Sequence, residues 1–134
     1  MIVVDSSAWI EMLRRTGSPA HRTLIRLLHE DAPVATTEMV AGEILAGARD
    51  DLDHVRLRRE LMATRFISLG GFAGFERAAR LVRDCRAVGI TAALTDCLVA
   101  APAIAAGAAL LHADADFDRI ASVTALELYP LDAA

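Results

Sequence analysis

The sequence contains no lysine, so all fourteen of its basic residues are arginines. Cysteines are few, at positions 85 and 97, and aromatic residues make up 4% of the chain. The two cysteines offer neither a metal-site spacing nor a disulfide framework, and a reduced, cytoplasmic setting is therefore expected. No uncharged run reaches the ~20 residues of a membrane-spanning helix. The start, MIVVDSS, lacks the basic segment of a signal peptide.

The composition is that of a folded protein, with 54% hydrophobic and 24% charged residues. A length of 134 residues suits one core, and we expect a single domain over residues 1–134. The net charge of −4 is unusual for a protein that binds nucleic acid. Arginines nevertheless concentrate between residues 14 and 86, and arginine suits bidentate contacts with phosphate. Genome base composition explains the lack of lysine equally well.

Short apolar runs alternate with amphipathic segments along the whole chain. The strand segments are MIVVD, APVAT, RFISLG, AALLHAD and ALELYPL. The helical segments are SSAWIEMLRR, AHRTLIRLLHE, TTEMVAGEILAGAR, DLDHVRLRRELMA, FAGFERAARLVRDCRAVG, TDCLVAAPAIAAG and DFDRIAS. This alternation predicts an α/β fold with a central, mostly parallel sheet and helices on both faces. Ser6 or Ser7 is expected to cap the first helix, and Thr36 or Thr37 the third.

Several acidic residues lie in apolar surroundings, where a carboxylate without a partner is costly to bury. Asp96 is the only charged residue in the run from position 87 to position 113. Asp5 ends the first strand and Asp114 ends the fourth, at the edge where open α/β sheets bind ligands. The acids that we expect to converge there are Asp5, Glu43, Asp96, Asp114 and Asp116.

Each of these acids also has a purely structural explanation. Asp5, Asp96 and Asp114 could each cap a helix. Glu43 could point into solvent, and Asp116 could be a surface residue. Taken together, however, like charges a few ångströms apart oppose folding unless a cation lies between them. Oxygen ligands without paired histidines or cysteines favour Mg²⁺ or Mn²⁺ over zinc.

Three other functions of acidic motifs do not fit the chain. The string DADFD, which starts at Asp114, begins like a calcium loop, but Arg119 stands where that loop requires glycine and Ala125 where it requires glutamate. A phosphoaspartate receiver uses a lysine, which is absent here. A phosphatase of the DxD type carries that motif after its first strand, whereas this strand ends in DSS. Asp118, in the same string, is expected on the surface.

The chain resembles the PIN-domain family, and within it the VapC-type ribonuclease toxins of bacterial toxin–antitoxin pairs. The segments that carry the resemblance are VVDSSAWIE, TTEMVAGEILAG, TDCLVAA and LLHADADFDRIA, in this order over nearly the whole chain. The resemblance implies that the catalytic acids are Asp5, Glu43, Asp96, Asp114 and Asp116. Asp5, Asp96 and Asp114 would hold Mg²⁺ or Mn²⁺, with Ser6 and Ser7 beside them.

The function that the resemblance implies is metal-dependent hydrolysis of RNA phosphodiester bonds by an endoribonuclease toxin. Its substrate would be a structured RNA such as tRNA or rRNA, and its products would carry 5′-phosphate and 3′-hydroxyl ends. A VapB-like antitoxin and a homodimer are the implied partners. The alternatives are a PIN-like RNA- or protein-binding module without nuclease activity, and a structural α/β domain whose acids only cap helices.

Some residues depart from the family pattern or have more than one explanation. His112 stands where the family commonly has threonine or serine, and we expect a satisfied strand-end histidine there. Pro102 interrupts the sixth helix and could shift the turn that bears Asp96. Trp9 is expected in the core.

Arginines that could hold the substrate are Arg14 and Arg15 beside the cleft and a row at Arg77, Arg80, Arg83 and Arg86. A solvated face with Glu76–Arg80 and Arg80–Asp84 pairs is the favoured explanation of that row.

Overall fold

A computed structural model describes residues 1–133, which form seven helices and five strands, as the alternation of segments predicts. The strands are β1 (Ile2–Val4), β2 (Val34–Thr36), β3 (Arg65–Phe66), β4 (Ala109–Leu111) and β5 (Glu127–Leu128). The helices are α1 (Ser6–Leu13), α2 (Pro19–His29), α3 (Glu38–Ala46), α4 (Asp51–Met62), α5 (Gly71–Ala87), α6 (Leu94–Ala105) and α7 (Ala115–Val123). No helix in this range is long and apolar enough to span a membrane.

The five strands form one sheet in the order β3-β2-β1-β4-β5, and all four strand pairings are parallel. From β1 the chain moves outward to β2 and β3, and it then returns to the other side of β1 to add β4 and β5. The direction of winding therefore reverses between β1 and β4. In open α/β sheets this reversal opens a crevice at the carboxyl ends of the two strands, where ligands bind.

The core lies around β1, because the sheet is flanked by helices on both faces and all three β1 residues are buried. Parallel strands covered in this way read as continuous apolar sequence. Trp9 and Phe117 are the largest fully buried side chains, and each comes from a helix that follows a central strand. The expectation that Trp9 belongs to the core is confirmed.

The predicted caps are confirmed for the third helix and wrong for the first. Thr37 caps α3 by accepting a hydrogen bond from the N–H of Val40. Asp5, not Ser6 or Ser7, caps α1, because Asp5 keeps an extended backbone while Ser6 is already helical. The strand therefore passes into the helix without an intervening loop, which places the Asp5 carboxylate at the sheet edge.

Pro102 does not end α6, which continues through it to Ala105. The missing N–H of Pro102 leaves the carbonyl of Leu98 without its helical donor. Asp96 lies in the first turn of the helix, before both of these residues. The backbone around Asp96 is therefore an ordinary first turn.

Candidate active site at the carboxyl ends of the central strands

Asp5 anchors the site at the end of β1. Its backbone N–H donates to the carbonyl of Leu111 at 2.9 Å, which extends the β1–β4 pairing by one residue. The residue is only 5% exposed. Its Oδ2 accepts two hydrogen bonds from Ser7, one from the N–H at 3.0 Å and one from the hydroxyl at 2.6 Å. The buried carboxylate is therefore held in one orientation by its own helix cap.

Ser7 connects this corner to the loop after β4. While its hydroxyl donates to Asp5, the same oxygen accepts the N–H of Ala113 at 3.0 Å. Ala113 immediately precedes Asp114, so Ser7 links the two strand ends that carry these acids. The sequence predicts Ser7 at the site, and the structure places it between two of the expected acids.

Asp114 caps α7, with its Oδ1 accepting the N–H of Asp116 at 2.9 Å. The N–H of Asp114 in turn donates to Nδ1 of His112 at 3.0 Å. The other ring nitrogen of His112, Nε2, lies 3.5 Å from a carboxylate oxygen of Asp118. His112 is thus a buried strand-end histidine with both nitrogens occupied, as expected, and it fixes the backbone that presents Asp114.

Asp96 does not cap α6, so the capping explanation is wrong for this acid and right for Asp5 and Asp114. Ala93 occupies the cap position without a side-chain hydrogen bond, and Asp96 follows in the first helical turn. Burial, chiefly, and then the negative charges of Asp114 and Asp5 raise the pKa of Asp96. A carboxylate at a helix start is normally stabilised by the helix dipole. This one faces like charges instead.

Glu43 reaches the same site from α3. The residue is exposed at the mouth of the site. Partial burial of its carboxyl and the charge of Asp5 raise its pKa, the hydroxyl of Ser6 lowers it, and the charge of Asp96 raises it further. Glu43 is therefore exposed to solvent, as one alternative expects, and its carboxyl also feels the charges of the site.

The structure thus brings four of the five predicted acids within electrostatic reach of one another. Asp96 is coupled to Asp5, Asp114 and Glu43, and Glu43 is also coupled to Asp5. Like charges that crowd in this way oppose folding, and a divalent cation would remove the repulsion.

Asp116 stands apart from these four acids, because it forms an ion pair with Arg119 on the next turn of α7 and its side chain is 47% exposed. Asp118 is exposed, as expected. The pairing of Asp116 with Arg119 is a local feature that the i,i+3 spacing could have indicated.

The chemistry of these donors fits Mg²⁺ or Mn²⁺, since all of them are carboxylate oxygens. In residues 1–133, however, no three such side chains are already gathered closely enough to hold an ion. Three of the acids are turned toward local partners: Asp5 toward Ser7, Asp114 toward its own helix, and Asp116 toward Arg119.

The comparison with known proteins identifies the family. The sequence model of the PIN domain matches residues 2–123. A VapC ribonuclease of Mycobacterium bovis is 43% identical over 129 residues, which cover 95% of this chain and 96% of that protein. Ribonuclease VapC11 of Mycobacterium tuberculosis matches to the same extent. The chain belongs to the PIN-domain family, in its VapC branch. PIN-domain VapC nucleases generally depend on a divalent metal.

Solved VapC structures share this fold at low sequence identity. VapBC2 from Rickettsia felis, bound to promoter DNA, superimposes with a TM-score of 0.77 at 20% identity, covering 98% of this chain and 100% of that one. VapC20 of Mycobacterium tuberculosis, a toxin that cleaves the sarcin–ricin loop, gives a TM-score of 0.69 at 22% identity, covering 95% and 99%. At these identities the likeness is one of fold.

The arginine row on α5 is a solvent-exposed face, which is the explanation that the sequence favours. Arg80 pairs with Asp84 at 3.3 Å, and Arg77 donates to the carbonyl of Leu69 at 3.3 Å. The expected Glu76–Arg80 pair is not formed within the described range. Of the two arginines expected beside the cleft, Arg14 lines a groove next to Glu43 and Arg15 is not among the lining residues. The sequence did not indicate the other arginines of that groove, Arg49, Arg56 and Arg59.

Proposed function

We propose that this VapC-family protein is an endoribonuclease toxin that depends on Mg²⁺ or Mn²⁺ and is neutralised by a VapB-like antitoxin. One observation carries the proposal. Asp96, in a helix start that should favour its charge, is instead crowded by Asp5 and Asp114. A shared cation would offset the repulsion between these carboxylates. The 43% identity to VapC ribonucleases supports RNA as the substrate.

Asp5, Asp96 and Asp114 are the side chains that would hold the ion, and Glu43 and Asp116 would complete the site or position water. When bound, a divalent ion supplies Lewis acidity, which makes water a better nucleophile and offsets charge on the phosphate oxygens. Ser7 orients the Asp5 carboxylate through its 2.6 Å hydrogen bond. The hydroxyl of Ser6 lowers the pKa of Glu43 and so favours its ionised form.

The substrate is proposed to be a structured RNA such as tRNA or rRNA, cleaved to 5′-phosphate and 3′-hydroxyl ends. The relative VapC20 is a sarcin–ricin loop cleaving toxin, which makes rRNA a concrete candidate. Solved neighbours include toxin–antitoxin complexes, in keeping with a VapB-like partner. We further propose that the whole chain forms one domain that works as a homodimer in the cytoplasm, where both buried cysteines stay reduced.

The test is cleavage of a structured RNA by the purified chain, freed of antitoxin, in Mn²⁺ or Mg²⁺. Asp5→Asn and Asp96→Asn should each lower the cleavage rate by at least about 100-fold, because each removes a carboxylate that would hold the metal ion. Asp84→Asn is the matched control, since this exposed acid lies on α5 and pairs with Arg80. Its rate should stay within about twofold of the parent, as for most surface changes.

Cleavage that persists in EDTA, or equal rates for Asp96→Asn and the parent, would contradict the metal-nuclease proposal. RNA that is bound by the parent but never cut, with either metal, would instead support a binding module without nuclease activity.

A further inference from the structure

A groove of about 680 Å³ runs beside the acidic site and is lined by residues from α1, α3 and α4. Glu43 belongs both to this groove and to the coupled acids. The groove therefore opens directly onto the candidate active site. Four arginines line it: Arg14, Arg49, Arg56 and Arg59.

Two of these arginines are held side by side by one carboxylate. Asp53 lies 3.4 Å from Arg49 and 4.0 Å from Arg56. The N–H of Arg49 and its side chain together lower the pKa of Asp53, so the acid stays ionised. A guanidinium has five N–H donors, and one shared carboxylate leaves most of them available to a further ligand. Both side chains remain mostly exposed, at 78% and 64%.

The other two arginines have no ion pair within residues 1–133. Arg14 follows the last turn of α1, and Arg59 lies on α4, both exposed. Apart from Glu43, the acids that line the groove are Asp53 and Glu60. With Glu43 included, four guanidinium groups face three carboxylates, and the groove carries a surplus of one positive charge on a chain whose net charge is −4.

We propose that this groove binds the phosphodiester backbone of the RNA substrate and leads it to the carboxylates. The proposal rests on the nuclease function proposed above. An acidic site repels phosphate, so a strand must be held by positive charge nearby, and arginine binds phosphate oxygens in a bidentate manner. The surplus of guanidinium groups next to Glu43 is complementary to a polyanion.

The groove also contains exposed apolar side chains, Ile10 and Leu13, which are 36% and 41% exposed. They provide surface for ribose and base faces between the arginine contacts. A segment of a protein partner would also use such residues, and the test separates these two occupants.

The experiment measures binding of a bulk tRNA preparation by fluorescence anisotropy over a salt series in Mg²⁺, with every variant in the Asp96→Asn background. The double variant Arg14→Gln/Arg59→Gln should bind tRNA about tenfold more weakly or worse at about 150 mM salt. Its slope of log K against log salt should fall by about 1.5 to 2, because two phosphate contacts are lost.

Arg83→Gln/Arg86→Gln is the matched control, since it removes two exposed arginines from α5 that have no ion pair in the described range. It should leave the slope unchanged. Arg14→Lys/Arg59→Lys retains both charges and should keep the slope near that of the parent. Thermal melts establish that each variant is folded.

Equal loss of tRNA affinity in the groove variant and the control would overturn the proposal. So would a groove variant that binds tRNA normally but no longer binds the antitoxin, because the groove would then be a protein-docking surface. Failure of the nuclease function is read separately, from cleavage by the chain with Asp96 intact. A chain that binds tRNA through the groove without cutting it would refute only the cleavage.

Discussion

At the scale of single residues, Asp96 is a carboxylate whose surroundings disfavour its charge in the metal-free protein but would suit a bound cation. It lies in a helical first turn, where a negative charge is normally favourable, yet burial and the charges of Asp114 and Asp5 raise its pKa. An acid whose pKa is raised in the folded state binds more protons there than in the unfolded chain. Its ionisation therefore destabilises the metal-free protein as pH rises through that range.

Asp96→Asn should consequently stabilise the metal-free protein at neutral pH. In EDTA at pH 7 we expect a gain of about 0.5–2 kcal/mol, typical of removing an unfavourable charge. Below the unfolded-state pKa of about 3.9 the gain should vanish, because the parent is then protonated in both states. Urea unfolding at the two pH values measures the difference, with Asp84→Asn as the exposed control. A variant less stable than its parent at pH 7 in EDTA would show that Asp96 is not electrostatically strained.

The position of the site acids could largely be predicted from the sequence, whereas the hydrogen bonds that hold them in place could not. Asp5 and Asp114 follow apolar strands, and a sequence shows that directly. The hydrogen bond from Ala113 to Ser7 joins residues 106 positions apart and depends on β1 and β4 being neighbours. The hydrogen bond to Nδ1 of His112 depends on the direction of one ring. Neither has a signature in the spacing of residues.

At the scale of elements, helices and strands are where the sequence predicts them, but the strands and most helices are shorter, whereas α7 is longer than its predicted segment DFDRIAS. The sequence predicts a first helix through Arg15 and a third through Arg49, whereas α1 ends at Leu13 and α3 at Ala46. Strand segments of five to seven residues form strands of only two or three residues. Hydrophobic periodicity locates an element, and its ends depend on caps and on the partner strand.

Gly74 determines how closely the start of α5 packs. A Cβ at this position would lie 1.8 Å from the carbonyl oxygen of Leu69, which is backbone and cannot move aside freely. Gly74→Ala should therefore destabilise the protein by about 1–3 kcal/mol, as overpacked core positions do. Gly42→Ala is the matched control, because a Cβ there meets nothing within 4 Å.

Gly42→Ala, inside α3, should instead raise the free energy of unfolding by about 0.5–1 kcal/mol. Urea unfolding of the two variants measures both changes in the free energy of unfolding, which should have opposite signs. If Gly74→Ala were as stable as the parent, the close approach of α5 to Leu69 would be wrong.

At the scale of the whole molecule, the functional surface is one acidic site joined to one basic groove, and the net charge of −4 describes neither. The acids come from the ends of β1 and β4 and from α3 and α6, so only the reversal of winding at the centre of the sheet brings them together. Two arginines of the groove lie on α4, Arg14 directly follows α1, and Arg49 lies between α3 and α4. The sequence predicts Arg14 beside the cleft, but not that Arg49, Arg56 and Arg59 join it, because the surroundings of these three in the sequence resemble an ordinary solvated face.

The central claim is that Asp5, Glu43, Asp96 and Asp114 share one divalent-cation site. Calorimetric titration of the RNA-free chain with Mn²⁺ near neutral pH tests it most directly. The parent and Asp84→Asn should bind Mn²⁺ saturably and with equal affinity, and their melting temperatures should rise with Mn²⁺ concentration. Asp96→Asn should bind at least about tenfold more weakly, as expected when one carboxylate is removed from an ion site. A parent without saturable Mn²⁺ binding, or an Asp96→Asn variant that binds as tightly as the parent, would contradict the claim.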